Sequence, residues 1–320
     1  MKGIVFMKIV MLDIGTLGFD AVLTPLRNIG ETVEYTRTSP SEVSERIKDA
    51  DVVVVNKIKL GKSNLEGSKV QLICVSATGY DNIDTSYCLE NGIALCNVPG
   101  YSTDSVAQLT LSMALSLATN LTTYRNFVHS GAYSESGVAN KVAPVFHEIS
   151  SLTWGIVGGG AIGTKVAETA RAMGCRVIMC RRKKETRYPQ ADIDTLCKTA
   201  DIISVHTPLT DETRGIISRE RIASMKKGAI FINVARGAVA DEEALAEAIE
   251  NGHLGGLGVD VYSQEPFSKE HPFSRILHMD NVCLTPHMAW GAYEARNRCI
   301  EEMGNNISAF FAGEKRNRIV

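Results

Sequence analysis

No apolar run among these 320 residues approaches the ~20 residues of a membrane-spanning helix, so no membrane is expected as a partner. Charge of either sign is not in excess. Lys and Arg number 34 against 36 Asp and Glu, a formal net charge of -2, which argues against nucleic acid or an anionic membrane surface as the main partner. Metal-type cysteine spacing is missing too. The eight cysteines, at 74, 88, 96, 175, 180, 197, 283 and 299, form no C-x-x-C, and most lie in apolar stretches such as Leu72-Ile73-Cys74-Val75. Buried reduced thiols of a cytoplasmic protein are the expectation, with no metal and no disulfide framework. The N-terminus is apolar but short and reaches Asp13 without a small-residue cleavage site. It reads as a first strand rather than a secretory signal. Met7 is an alternative start, because 7–13 already holds a complete strand.

What is present is alternation. The length allows two domains at about 100–200 residues each. Strands are expected at 8–12, 32–35, 52–55, 72–75 and 93–96, with helical patterns between them, one over 39–49. Strand–helix alternation of this kind gives a parallel sheet with helices on both faces. Asn97-Val98-Pro99-Gly100 interrupts the pattern, and a helix rich in Leu, Ala and Ser is expected over 102–121. The stretch 122–151 has little periodicity and is expected to be irregular; whether it is an arm packing on a second subunit stays open. A second block has strands at 154–157, 176–180, 202–206, 229–234, 257–261 and 282–285, which matches a six-stranded dinucleotide-binding sheet. The helix 241–251 has an acidic start and Gly252 after it. The last helix, 292–312, has no sheet left to cross over to, and so is expected to pack on the first domain. That makes one domain discontinuous, 1–101 with 289–320, around an inserted domain, 102–288. The fold class is α/β, two doubly wound parallel-sheet domains.

The stretch Gly158-Gly159-Gly160-Ala161-Ile162-Gly163 fits G-x-G-x-x-G, follows an apolar strand and opens a helix that Gly174 ends. Gly158 permits the tight turn, Gly160 lets the backbone approach a pyrophosphate, and Gly163 lets helix and strand pack closely. The first-turn N–H groups then face the phosphates with the helix dipole behind them. The alternative is a glycine turn with only a structural role. The later strand ends carry reactive side chains, at the edge where ligands bind in open α/β sheets. Arg236 follows the fourth strand of this block, Glu265 the fifth and His287 the sixth. Singly, each has a bland alternative: a surface arginine, a solvated carboxylate, a histidine capping a loop. Three successive loops of one edge let them converge.

At this point the chain resembles the D-isomer-specific 2-hydroxyacid dehydrogenase family over nearly its whole length. The carriers are 100–108 (Gly-Tyr-Ser-Thr-Asp-Ser-Val-Ala-Gln), the glycine fingerprint, 206–210, 234–237, 260–266 and 285–287. Asn56-Lys57, 77–84 and 286–290 make it most similar to the glycerate dehydrogenase (hydroxypyruvate reductase) branch. The resemblance implies a Rossmann dinucleotide-binding domain inserted into a flavodoxin-like substrate domain, and a homodimer formed through the cofactor domain. It also implies hydride transfer between a nicotinamide cofactor and a small 2-oxo or 2-hydroxy acid. His287 would be the acid/base, with an unperturbed pKa of about 6.5 near neutrality, Glu265 would orient its ring, and Arg236 would hold the substrate oxygens. Lys57, Thr78 and Gly79 would bind the substrate carboxylate from the other domain, in a site that closes over substrate. The cofactor contacts implied are Val106, Gly158, Gly160, Ala161, Ile162, Gly163, His206, Thr207, Pro208, Thr213, Val234, Ala235, Asp260, His287 and Ala289.

Two departures stand out. Ser150-Ser151-Leu152-Thr153 replaces the family's usual Gly-Lys before the strand and is expected to alter only a turn. More telling, NAD-using members carry an Asp or Glu at the end of the second strand for the ribose 2′-hydroxyl, whereas here Arg181-Arg182-Lys183-Lys184 follows Cys180. An arginine pair would bind a 2′-phosphate, so Arg181 and Arg182 point to NADP(H) in preference, with NAD(H) still possible; a solvated basic turn is the bland reading. The expected function is a hydroxypyruvate or glyoxylate reductase. The alternatives are an NADH-dependent reductase of a larger branched or aromatic 2-oxo acid and, more remotely, a dinucleotide-sensing binding protein without catalysis.

Overall fold

A computed structural model of the chain describes residues 7–182 and 187–320. Lys183 and Lys184 of the basic turn lie outside the described residues, as does the stretch before Met7. The first sheet holds β1 (Lys8–Met11), β2 (Glu31–Glu34), β3 (Val52–Val55), β4 (Leu72–Val75) and β5 (Ala94–Cys96), all parallel, in the order β2-β1-β3-β4-β5. This is the flavodoxin-like order. β3 and β4 are buried at every residue, as suits β-branched strands covered on both faces by helices.

The second sheet holds β6 (Thr153–Val157), β7 (Arg176–Cys180), β8 (Ile202–Val205), β9 (Ala229–Asn233), β10 (Leu254–Val259) and β11 (Val282–Leu284), also parallel, in the order β11-β10-β9-β8-β6-β7. The place beyond β7 is held by a single bridge from Met179 to Gln190. With that bridge as a rudimentary strand, the order becomes the Rossmann order with one strand added beyond it. Alternate side chains feed two cores. Trp154, Ile156, Ile230 and Ile232 pack to one face; Val157, Val205, Phe231 and Leu257 pack to the other.

Two expectations are corrected. The stretch 122–151 is not irregular throughout, since Leu121–His129 and Ala132–Ser136 are helical. Neither helix buries a residue, so no core-facing apolar stripe advertises them. The preceding helix, Thr103–Ala118, stops short of 121 because Asn120 adopts a left-handed backbone, φ 51°, and turns the chain. The strand expected at 257–261 is β10, which begins at Leu254 and ends at Val259. Its glycines mimic a loop, but Gly256 and Gly258 lie against Leu117 and Met113 of that helix, where a Cβ would stand 3.2 Å from each Cβ. They let the helix sit close to the sheet.

The chain divides into two compact units. One is the chain up to Ser102 together with Gly291–Val320; the other is Thr103–Trp290. The sequence places the boundaries at 101/102 and 288/289. Ala289 goes with the second unit because its N–H is bound by Asp260 and its carbonyl by the Ser105 hydroxyl. The last helix, Tyr293–Phe311, packs on β4 of the first unit.

Candidate active site

The glycine turn forms as its spacing requires. Gly158 has φ 99°, and a Cβ there would stand 2.7 Å from the carbonyl carbon of His206. A Cβ on Gly163 would stand 1.9 Å from the Gly158 oxygen, so the helix Ala161–Ala172 lies directly on the turn. At Gly160 a Cβ would meet nothing within 4 Å, which leaves the first helical turn open to a ligand. The turn lies where β6 is flanked by β7 on one side and β8 on the other, the switch point at which such sheets bind ligands.

His206 closes the other side of that turn. Its Nε2 lies 2.9 Å from the Ser204 hydroxyl, which accepts the Trp154 indole N–H at 2.9 Å. Nδ1 is buried and without a partner among the described residues. Burial lowers the His206 pKa from 6.5 to about 3, so the ring is neutral. A buried, unpaired ring nitrogen is costly unless a bound group completes it. With the open Gly160 turn, it fits a dinucleotide. After His206, Thr213 folds the Thr207-Pro208 segment back, donating to the Pro208 carbonyl at 2.6 Å. Val106, Val234 and Ala289 are buried; Ala161 is exposed, and Ile162 and Ala235 are half-buried.

Beyond β7 the Arg181 side chain lies back across the glycine turn. A Cβ on Gly159 would meet its Cδ at 2.7 Å. Arg182 instead reaches Glu212 at 2.9 Å, an exposed pair. The structure therefore separates the two arginines that the sequence groups together.

Glu265 and His287 do meet: Glu265 Oε2 is 2.6 Å from His287 Nδ1. A carboxylate only accepts, so Nδ1 carries the proton that Glu265 receives. The other oxygen, Oε1, accepts the Tyr262 N–H at 3.0 Å. Arg236 leaves β9 on the neighbouring loop, its Nη1 donating to the Ala235 carbonyl at 2.8 Å. Gly237 beside it explains how close the loops run: a Cβ there would stand 2.0 Å from the Tyr262 carbonyl carbon. Only glycine permits that approach.

His287 has a left-handed backbone, φ 51°, which is strained for a residue with a Cβ. Asp260 holds it there. Fully buried, its carboxylate accepts the Thr285 hydroxyl at 2.6 Å, the Met288 N–H at 2.8 Å and the Ala289 N–H at 2.9 Å. Burial pushes the Asp260 carboxyl up, against these hydrogen bonds. Trp290 adds an indole N–H to the His287 carbonyl at 2.9 Å. Asp260, marked from sequence as a cofactor contact, here holds the histidine loop with its carboxylate.

In the first unit, Lys57 and Thr78 are exposed at the ends of β3 and β4, and Gly79 is half-buried. Asp13, at the end of β1, was not singled out from sequence. Its buried carboxylate accepts the Asn56 and Lys57 N–H groups at 2.9 and 2.7 Å, setting the Lys57 backbone. Asn97 likewise donates to the Thr78 carbonyl at 2.7 Å and receives the Asn306 amide at 2.9 Å. Each is a lone polar residue in an apolar stretch, a weak signal whose partner sequence spacing does not name. Among the described residues no group of His, Cys, Asp and Glu could hold a metal ion, and no helix is long and apolar enough to cross a membrane.

Residues 111–289 match the family model described as D-isomer specific 2-hydroxyacid dehydrogenase, NAD binding domain. A glycerate dehydrogenase of Methylorubrum extorquens is 32% identical, covering 97% of this chain and 98% of its own. A hydroxypyruvate reductase of Blautia hydrogenotrophica is 32% identical over 96% of this chain and 98% of its own. Among solved structures, a D-lactate dehydrogenase from Aquifex aeolicus complexed with NAD and lactic acid superposes with a TM-score of 0.84 at 29% identity, covering 96% of each chain.

Proposed function

Because this chain belongs to the D-isomer-specific 2-hydroxyacid dehydrogenases, we propose that it reduces a small 2-oxo acid, hydroxypyruvate or glyoxylate, with His287 as the proton donor. It is an oxidoreductase acting on a CH–OH group with a nicotinamide dinucleotide as cofactor. The observation that carries the proton-transfer role is the 2.6 Å contact between Glu265 and His287. Glu265 occupies Nδ1, so a protonated His287 offers Nε2–H to a carbonyl oxygen, and the same nitrogen takes the proton back in the reverse direction. Arg236 polarises the carbonyl and holds the carboxylate with its planar fork. Lys57 and the backbone N–H groups of Thr78 and Gly79 are the carboxylate contacts proposed for the first unit. A bound nicotinamide supplies the hydride or takes it up. The glycine turn and His206 hold the dinucleotide, with Thr207, Pro208, Val234 and Ala235 beside it.

NADP(H) is the preferred form in this reading. Arginine, not a carboxylate, stands directly after β7, and the Arg181 side chain rests over Gly159, beside the phosphate-binding turn. A guanidinium there favours a 2′-phosphate. The protein works as a homodimer through its second unit. Exposed apolar side chains gather between 121 and 146, with Val142 80% and Val145 75% exposed, and a second copy would cover them. Oxidation of NADPH and NADH against a panel of 2-oxo acids tests the function. His287→Ala and Glu265→Gln should lower kcat by about a hundredfold or more. Loss of less than tenfold in His287→Ala, or no turnover with any acid, overturns it.

A further inference from the structure

A second imidazole–carboxylate pair lies in the same unit, away from the reacting atoms. Glu242 opens the helix Glu242–Glu250, yet it does not cap it; Asp241 does, accepting the Ala244 N–H at 2.9 Å. The Glu242 carboxylate, with its side chain 10% exposed, turns instead to the loop that leads to Glu265. Oε1 accepts the Ser263 N–H at 2.9 Å, and Oε2 accepts the Ser263 hydroxyl. Oε2 also lies 3.1 Å from Nε2 of His271. The His271 side chain is 5% exposed, and its Nδ1 receives the Phe273 N–H at 3.2 Å. A backbone N–H can only donate, so the His271 proton sits on Nε2 and points at Glu242. Phe267, Phe273 and Tyr262 pack around the ring at centroid distances of 4.9, 5.0 and 6.1 Å. Three donors thus meet one nearly buried carboxyl group, the condition under which a buried polar group is tolerated.

Glu242 grips Ser263 where Gly237 also abuts the Tyr262–Ser263 backbone: a Cβ on Gly237 would stand 2.1 Å from the Ser263 nitrogen. Two residues further on, Glu265 turns back to the Tyr262 N–H and reaches His287. We infer that Glu242 and His271 are positioning residues for the Glu265–His287 pair, an inference that rests on the acid/base reading of His287. Their hydrogen bonds go to Ser263, Phe273 and each other, and so fix the loop from which Glu265 reaches. Displacement of a catalytic group by about an ångström costs on the order of a hundredfold in rate.

Glu242→Gln replaces one acceptor oxygen with an NH2 group facing the same donors, so at least one bond is lost. His271→Leu leaves the carboxylate short of a donor, whereas His271→Gln can still present an N–H to it. The readouts are kcat, the dinucleotide KM, and the proton signal of His287 Nδ1–H in 15N-histidine-labelled full-length protein. Glu242→Gln and His271→Leu should lower kcat about tenfold to a hundredfold, leave the dinucleotide KM within about twofold, and broaden the His287 signal by exchange with water. His271→Gln should restore all three. Wild-type kcat and an unchanged His287 signal in Glu242→Gln, with only a lower melting temperature, would overturn the inference. If Glu242→Gln does not fold, Ser263→Ala, which removes one hydroxyl bond, is read by the same criteria. The NMR signal needs no turnover, so a failed assignment of the reaction and a failed positioning role give different results.

Discussion

The Tyr262 hydroxyl donates to the Thr285 carbonyl at 2.9 Å, tying the loop that carries Glu265 to the loop that carries His287. Thr285 is also bound through its hydroxyl to Asp260, whose other contacts hold the backbone just after His287. Glu265 and His287 therefore share an anchor outside themselves. Tyr262→Phe keeps the ring against Phe267, 4.7 Å between centroids, and removes only the donor. Unfolding free energy in urea should fall by about 1 kcal/mol and kcat several-fold, with the dinucleotide KM unchanged. A variant as stable and active as its parent would show the tie to be idle.

Cofactor choice should depend on a glycine as well as on an arginine. Arg181→Asp should worsen NADPH use and improve NADH use, as a carboxylate repels a 2′-phosphate. Gly159→Leu places a side chain where Arg181 Cδ lies, 2.7 Å from the Cβ position, and should displace the guanidinium. Each is expected to lower the NADPH:NADH ratio of kcat/KM about tenfold to a hundredfold, the size of one charged hydrogen bond. If both ratios stay put, Arg181 is only a solvated part of the turn.

His206 sets an acid limit to stability. Its pKa is held at about 3 by burial, below the 6.5 of an unfolded histidine. Below 6.5 the unfolded chain takes up a proton that the folded one refuses, so stability is lost as pH falls and the loss ends near 3. The slope from this residue is at most about 1.4 kcal/mol per pH unit. His206→Gln, which can still bond to Ser204, should remove that component. Unfolding free energies of the two proteins across this window should converge as pH falls; parallel curves would refute the assignment.

The apolar arm offers a test of assembly. Tyr124 donates to the Pro144 carbonyl at 2.6 Å and packs edge-on with Phe146, so the segment 144–146 is held while Val142 and Val145 are exposed. Val142→Asp with Val145→Asp should convert a dimer to a monomer in sedimentation velocity without lowering the melting temperature of either unit. A sedimentation profile unchanged by the two charges would remove these residues from any interface.

Local pattern alone determined much of this protein. Apolar runs such as Val52–Val55 can only be strands of a sheet covered on both faces, and the Gly158–Gly163 spacing permits only a tight turn into a helix. The order of Arg236, Glu265 and His287 after three consecutive strands placed them on one sheet edge, because parallel strands put all such loops at the same end. Where neighbours are chosen by packing, sequence was silent. Spacing does not reveal that the Asp260 carboxylate accepts backbone N–H groups 28 and 29 residues away. Glu242 is part of the acidic start of a helix, and nothing in its spacing names His271, 29 residues on, as its partner. Arg181 and Arg182 are adjacent in the chain and part company in space. Periodicity and turn chemistry are local and so are written in the sequence. The partner of a buried charge is set by which loops the packed sheet brings within hydrogen-bond reach, and that is decided only by the fold.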